Sequence, residues 1–206
     1  MLRPFFVLIM AAGAAFSQYK LEPAGPPPSD LPAGIAGTLQ KDGAKIVAGS
    51  GPFCEIWFRT TAPSLPKSAE DAVTLPMIPQ GALLGALRFP GRGSDRRGQN
   101  IKPGVYTLRY SLQPVNGDHQ GVAPQRDFMV MIPAADDTNP QSTPAFDDLM
   151  KMSRKASGTP HPAVLSMSSS SNGTFPELKK EGDSDWVLHA KIGDVPVAVI
   201  VVGKAE

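Results

Sequence analysis

Apolar and polar side chains alternate most regularly between Gly104 and Leu112. Every second position there is aromatic or leucine, which is the pattern of a β-strand with one face in a core. The pair Pro103-Gly104 precedes the run and favours a turn. The alternating core positions are Tyr106, Leu108, Tyr110 and Leu112.

The C-terminal region has the pattern of a β-hairpin. Residues 186–192 alternate, and Gly193-Asp194 is a turn of the kind that joins antiparallel strands. Residues 195–202 form a nearly continuous β-branched run, which predicts a central strand covered on both faces. Residues 127–133 are apolar on both faces and predict another buried strand. Weaker strand candidates are 45–48, 53–59, 83–89 and 164–167.

One helix is predicted, near residues 144–157. Phe146, Leu149 and Met150 recur at helical spacing and give it one apolar side. Thr143 is the expected N-cap, because its hydroxyl can accept from a free backbone N–H. Pro144 suits the first helical position, and Gly158 supplies a C-terminal stop.

Many short strands with one inserted helix predict an all-β protein. The expected architecture is an antiparallel β-sandwich of Greek-key, immunoglobulin-like or jelly-roll type. A wide barrel is the alternative, because strand count cannot separate the two. The 20 glycines and 22 prolines favour many turns between short strands. The serine-rich stretch 166–173 predicts a mobile loop.

The N-terminal residues predict export. A positive start, an apolar run and a small-residue cleavage pattern predict a signal peptide at 1–17, cut between Ser17 and Gln18. No later segment is apolar for the about 20 residues that cross a bilayer. We therefore expect a secreted or periplasmic protein. Prolines in 18–33 predict a tether, which leaves 34–206 as a single sandwich domain.

Charge and cysteine content exclude some function classes. The chain has 20 basic and 19 acidic residues, so it has no electrostatic reason to bind nucleic acid or an anionic membrane. Cys54 is the only cysteine, so no internal disulfide can form. We expect Cys54 to be a small buried hydrophobe, because nothing near it would polarise its thiol.

The segment Pro103-Gly104-Val105-Tyr106-Thr107-Leu108 resembles the start of a core strand in several known modules. These are exported bacterial β-sandwich domains of unknown function, transthyretin-like modules and carboxypeptidase regulatory-like modules. The resemblance implies a sandwich fold. It carries over no functional residue, because function resides in sites rather than in folds.

An arginine-rich stretch at 88–102 is the first candidate site. Arg92, Arg96 and Arg97 outnumber Asp95 there, and guanidinium groups suit carboxylate, phosphate or sulfate. These residues predict binding of an anionic ligand or an acidic glycan. The alternative is a solvated loop in which Asp95 pairs with a neighbouring arginine.

A second candidate is the turn that contains Asp118 and His119. Both side chains can do acid–base chemistry, and loops on a rigid scaffold commonly carry binding residues. Convergence of this turn with Asp95 and Arg96 would define one site.

The three histidines are far apart in sequence, so no metal site and no cofactor are predicted. For His189 we expect solvent exposure, because it lies on the mostly polar face of its strand.

These patterns favour an exported, non-catalytic binding or scaffold module that acts through its strand-connecting loops. Its partner would be an anionic ligand, a glycan or an envelope protein. The first alternative is an extracytoplasmic hydrolase with a site around Asp118 and His119. A structural envelope component that works by protein contacts alone is the second alternative.

Overall fold

The computed structural model describes residues 19–66, 70–115 and 125–205. Within these ranges the structure is dominated by strands, and two short helices accompany them. The all-β prediction is therefore confirmed. The strands are β1 (Lys20–Gly25), β2 (Gly43–Ala48), β3 (Gly51–Phe58), β4 (Leu83–Phe89), β5 (Gly93–Ser94), β6 (Asn100–Ile101), β7 (Gly104–Leu112), β8 (Asp127–Pro133), β9 (Val164–Ser169), β10 (Glu177–Glu181), β11 (Asp185–Ile192) and β12 (Val195–Val202).

Ten strands form one antiparallel sheet in the order β1-β2-β3-β4-β7-β8-β9-β12-β11-β10. The first and last strands of this order contact each other, so the sheet curls until it is nearly barrel-shaped. We call the gap between β1 and β10 the seam. The structure does not confirm the predicted sandwich, because one continuous sheet encloses the core where a sandwich would stack two.

A chain of aromatic rings closes one end of the seam. Tyr19 packs edge-on against Trp186 at 5.5 Å between ring centroids, and against Phe53 at 5.9 Å. Phe53 contacts Phe89 at 5.7 Å, and Phe89 contacts Tyr106 at 6.2 Å. Edge-to-face pairs of this kind add stabilisation beyond their buried area. The rings therefore join the residue before β1 to the start of β11, which pairs with β10.

The predicted strands at 104–112 and 127–133 are confirmed as β7 and β8. Alternate residues of β7 point into the barrel, as their pattern predicted. β8 is buried on both faces because helix α2 (Phe146–Ser157) covers its outer side. The outer cluster consists of Phe128, Val130, Ile132, Leu149, Met150 and Val164. The predicted C-terminal hairpin is confirmed as β11 and β12.

The predicted cap of helix α2 is wrong. Its N-cap is Ala145, which makes no side-chain hydrogen bond, and the helix begins at Phe146. Thr143 and Pro144 are not helical, because their backbone packs closely against Gly81. The predicted stop is confirmed: Gly158 is left-handed at φ 66°, and its N–H donates to Arg154 O at 2.8 Å.

Two segments that were predicted to be irregular belong to the sheet. Within the predicted tether, β1 pairs with β2, and its Pro23 is tolerated at an edge strand beside a register shift. Helix α1 (Ala33–Ala36) follows and buries Ile35. The predicted serine-rich loop begins inside β9, where Ser166 is buried. Residues 1–17 lie outside the described ranges.

A buried ion pair holds the outer face of β7. Arg109 has no solvent-exposed surface, and its Nε and Nη2 donate to the Asp137 carboxylate at 2.6 and 2.7 Å. Its remaining donors bond the carbonyl oxygens of Gly81, Asn139 and Ser142 at 2.6–2.8 Å. Every donor direction of the guanidinium is thus used, which is the condition for a stable buried charge. The pair fixes residues 137–142 on the sheet.

We expect Asp137→Ala to destabilise the protein by about 3–5 kcal/mol, because it leaves the Arg109 charge buried and unpaired. Urea unfolding measures this change. The matched control is Lys155→Ala, which breaks the exposed Lys155–Asp136 pair (3.0 Å) and should cost less than about 1 kcal/mol. Equal losses in the two variants would contradict the role given to Arg109.

Candidate functional site

A cavity of about 490 Å³ opens along the seam. Residues 21–23 of β1 and residues 175–176, which precede β10, form two of its sides, and it reaches the inner side of β3. Its wall is mostly apolar. The lining residues are Leu21, Glu22, Pro23, Gln40, Asp42, Gly43, Ala44, Ile56, Phe58, Phe175, Pro176, Ala190 and Lys191.

Small residues at core positions make room for this cavity. Ala44 on β2 and Ala190 on β11 are both buried and line its wall. Gly43 is required for a different reason: a Cβ at this position would collide with the indole ring of Trp57. Ile56 and Phe58 also line the cavity, and both belong to the main core. The cavity therefore borders the packed core of the barrel.

The mouth of the cavity is polar. Lys191 Nζ lies 5.3 Å from the centre of the Phe175 ring, within cation–π range. The side-chain amide of Gln40 donates to Lys191 O at 3.0 Å and thereby ties the segment before β2 to β11. Glu22 is paired with Lys45 at 3.0 Å, and Asp42 is exposed. A ligand would thus have its apolar part inside and a polar group at the mouth.

A polar network holds the loop that supplies Phe175 and Pro176 to the cavity wall. Asn172 Nδ2 donates to Glu177 at 2.5 Å, and Lys179 Nζ donates to Asn172 Oδ1 at 2.8 Å. His189 bonds Ser170 in the same loop at 2.9 Å. This loop covers His189, whose side chain is buried, so the predicted solvent exposure of His189 is wrong.

The pKa of Glu177 is lowered, first by the hydrogen bond from Asn172 and then by that from Lys179. A carboxylate whose pKa is lower in the folded than in the unfolded protein stabilises the folded state at pH values above its unfolded pKa of about 4.3. This contribution is lost as the pH falls through the folded pKa.

We expect Glu177→Gln to lower the urea midpoint at pH 7, and we expect the difference from wild type to shrink towards pH 3. A difference that stayed constant over this range would contradict the assignment.

The arginine-rich loop is organised by its own aspartate. Asp95 is buried and accepts from the backbone N–H of Arg97, Gln99 and Val164 at 2.8–3.2 Å, and from the Gln99 side chain at 2.8 Å. Its hydrogen bonds thus shape the loop and leave it little surface for a ligand. Arg96 pairs with Asp185 at 2.6 Å. Arg92 is exposed and Arg97 is half-buried.

Asp118 and His119 lie outside the described residues, so their predicted convergence with Asp95 and Arg96 stays a prediction.

Cys54 is fully buried, as expected, and burial and the neighbouring Glu55 raise its thiol pKa. Among the described residues, no group of three or more His, Cys, Asp or Glu side chains could hold a metal ion. In the same ranges no helix has the length and apolar character to span a membrane.

Comparison with known proteins gives no match: no family model, no curated protein and no solved structure is similar to this chain. The resemblance at 103–108 therefore stays an expectation.

The cavity was not predicted from the sequence. Its walls come from widely separated segments, including those around Leu21, Ala44 and Phe175, and none of these segments has a motif. One signal was present. Ala44 and Ala190 are small residues at inward positions of strands, where larger side chains would fill a core.

Proposed function

We propose that this protein is an exported binding protein that takes a small apolar or amphiphilic molecule into the cavity at the seam. The observation that carries the proposal is an apolar cavity that opens between the two edge strands and reaches the core of the barrel. Its volume of about 490 Å³ falls within the about 300–1,000 Å³ of small-molecule sites. Mouths of β-barrels are a common place for such sites.

This proposal keeps the expectation that binding uses strand-connecting loops. Asp42 precedes β2, and Phe175 and Pro176 precede β10, so the mouth is built by two such loops. An anionic ligand on the arginine-rich loop is less well supported. Arg96 is already neutralised by Asp185, and the Asp95 oxygens are occupied by the loop itself.

We expect Ala44→Leu and Ala190→Leu to weaken ligand binding, because each added isobutyl group fills part of the cavity. N-phenyl-1-naphthylamine, a neutral apolar dye whose fluorescence rises in apolar surroundings, is the probe. The expected increase in Kd is tenfold or more, which corresponds to about 1.4 kcal/mol.

The matched control is Ala48→Leu. Ala48 lies on β2 with Ala44 but towards the closed end of the seam, and it does not line the cavity. Its Kd should stay near the wild-type value. Circular dichroism checks that all three variants are folded. An equal Kd in the wild-type protein and both cavity variants would disprove binding in the cavity.

Export is proposed from the predicted leader. We expect protein recovered from the periplasm or the medium to begin at Gln18, because cleavage follows Ser17. Intact-mass measurement of the exported protein tests this boundary. Recovery of full-length chain with Met1 from the cytoplasm alone would overturn the proposed localisation.

A further inference from the structure

A histidine is held between a serine and a glutamate on the outer face of the sheet. His189 Nδ1 lies 2.9 Å from Ser170 Oγ, and its Nε2 lies 2.9 Å from Glu181 Oε1. Ser170 directly follows β9, Glu181 ends β10, and His189 is on β11. The pairing of β11 with β10 and β12 thus brings together three residues from separate elements. Ala190, the next residue on β11, points inward to the cavity, so this cluster and the cavity are on opposite faces.

The hydrogen-bond partners determine where the protons are. An ionised Glu181 can only accept, so His189 Nε2 must carry the hydrogen. Nδ1 of the neutral ring is then an acceptor, and the Ser170 hydroxyl donates to it. A serine that donates to a histidine, with the other ring nitrogen held by a carboxylate, is the arrangement that activates a hydroxyl as a nucleophile.

Ser170, Glu181 and His189 differ in their exposure to solvent. The His189 side chain is 9% exposed and the Glu181 side chain 53%. Ser170 is half-buried, and Ser169 and Ser171 on either side of it are exposed. Ser170 is therefore partly exposed to solvent, while the imidazole is shielded from water.

The backbone around Ser170 limits the rate of acyl transfer that we expect. The N–H of Asn172 donates to Ser170 Oγ at 3.1 Å, and the N–H of Ser170 donates to Pro196 O at 3.2 Å. Neither amide is free to stabilise an oxyanion, which is a large contribution in fast acyl transfer. The geometry therefore suits covalent capture of an acyl group better than rapid turnover.

We propose that Ser170 is a nucleophile that accepts an acyl group from small activated esters, with His189 as general base and Glu181 as positioning residue. Ser170 Oγ forms a bond to the acyl carbon, and its proton passes to His189 Nδ1. The bond from the acyl carbon to the leaving oxygen breaks, and the leaving group takes that proton. Water hydrolyses the acyl-serine and restores the hydroxyl.

The test uses p-nitrophenyl acetate and the full exported chain. We expect one acetyl group to appear on the peptide that contains Ser170, by mass spectrometry. Ser170→Ala should remove this label, and His189→Ala should slow its formation by about 100-fold. The matched control is Ser169→Ala, which removes a neighbouring exposed hydroxyl and should label like the wild type. Label on other residues only, or equal labelling of Ser170→Ala and wild type, would overturn the proposal.

A second measurement does not depend on reactivity. The nitrogen chemical shifts of the His189 ring distinguish its two neutral tautomers in an NMR spectrum. We expect the form with hydrogen on Nε2 in the wild type and loss of its predominance in Glu181→Gln, along with slower acetylation. A wild-type ring with hydrogen on Nδ1 would also overturn the proposal, because Ser170 would then be the acceptor. Circular dichroism excludes unfolding as the cause in each variant.

Discussion

The buried pair of Arg109 and Asp137 is the constraint on which the outer half of the structure depends. A fully buried guanidinium is tolerated only when every donor has a partner. Here the partners come from Asp137 and from three carbonyl oxygens around it. The loop at 137–142 must therefore remain on the sheet. The same loop leads into helix α2, which covers the outer face of β8.

The seam differs from this fixed outer layer in how its strands are paired. Strands β3, β4, β7 and β8 are central in the sheet and are paired on both sides. Strands β1 and β10 are each paired on one side only, and they contact each other without a backbone ladder. An edge strand leaves one row of backbone N–H and C=O groups without a ladder partner. The cavity lies at this boundary, so its mouth is at the part of the sheet that no backbone ladder joins.

The sequence pattern correctly predicted those strands and turns whose formation depends on residues close together in the chain. Alternation in 104–112 and the Gly193-Asp194 turn sufficed for β7 and the last hairpin, because period and turn type are sequence properties. Closure of the sheet could not be predicted, because it depends on how two strands distant in sequence meet. β1 was missed because Pro23 argues against a central strand, whereas an edge strand tolerates a proline.

In the candidate sites, too, the residue types can be read from the sequence, but their partners are known only from the fold. Asp95 was predicted as part of a ligand site, but its oxygens accept from backbone amides that only the folded loop presents. His189 was placed on a polar face, and only the fold shows that Ser170 and Glu181 enclose it. The cavity depends on residues from five parts of the chain, and no motif marks them.

The aromatic chain gives the residue just before β1 a structural role. Tyr19 stands between Trp186 on β11 and Phe53 on β3, so its ring joins strands that lie on the two sides of the seam. A chain that lacked Tyr19 would lose both ring contacts, and the stabilisation that edge-to-face pairs add across the seam would be lost with them.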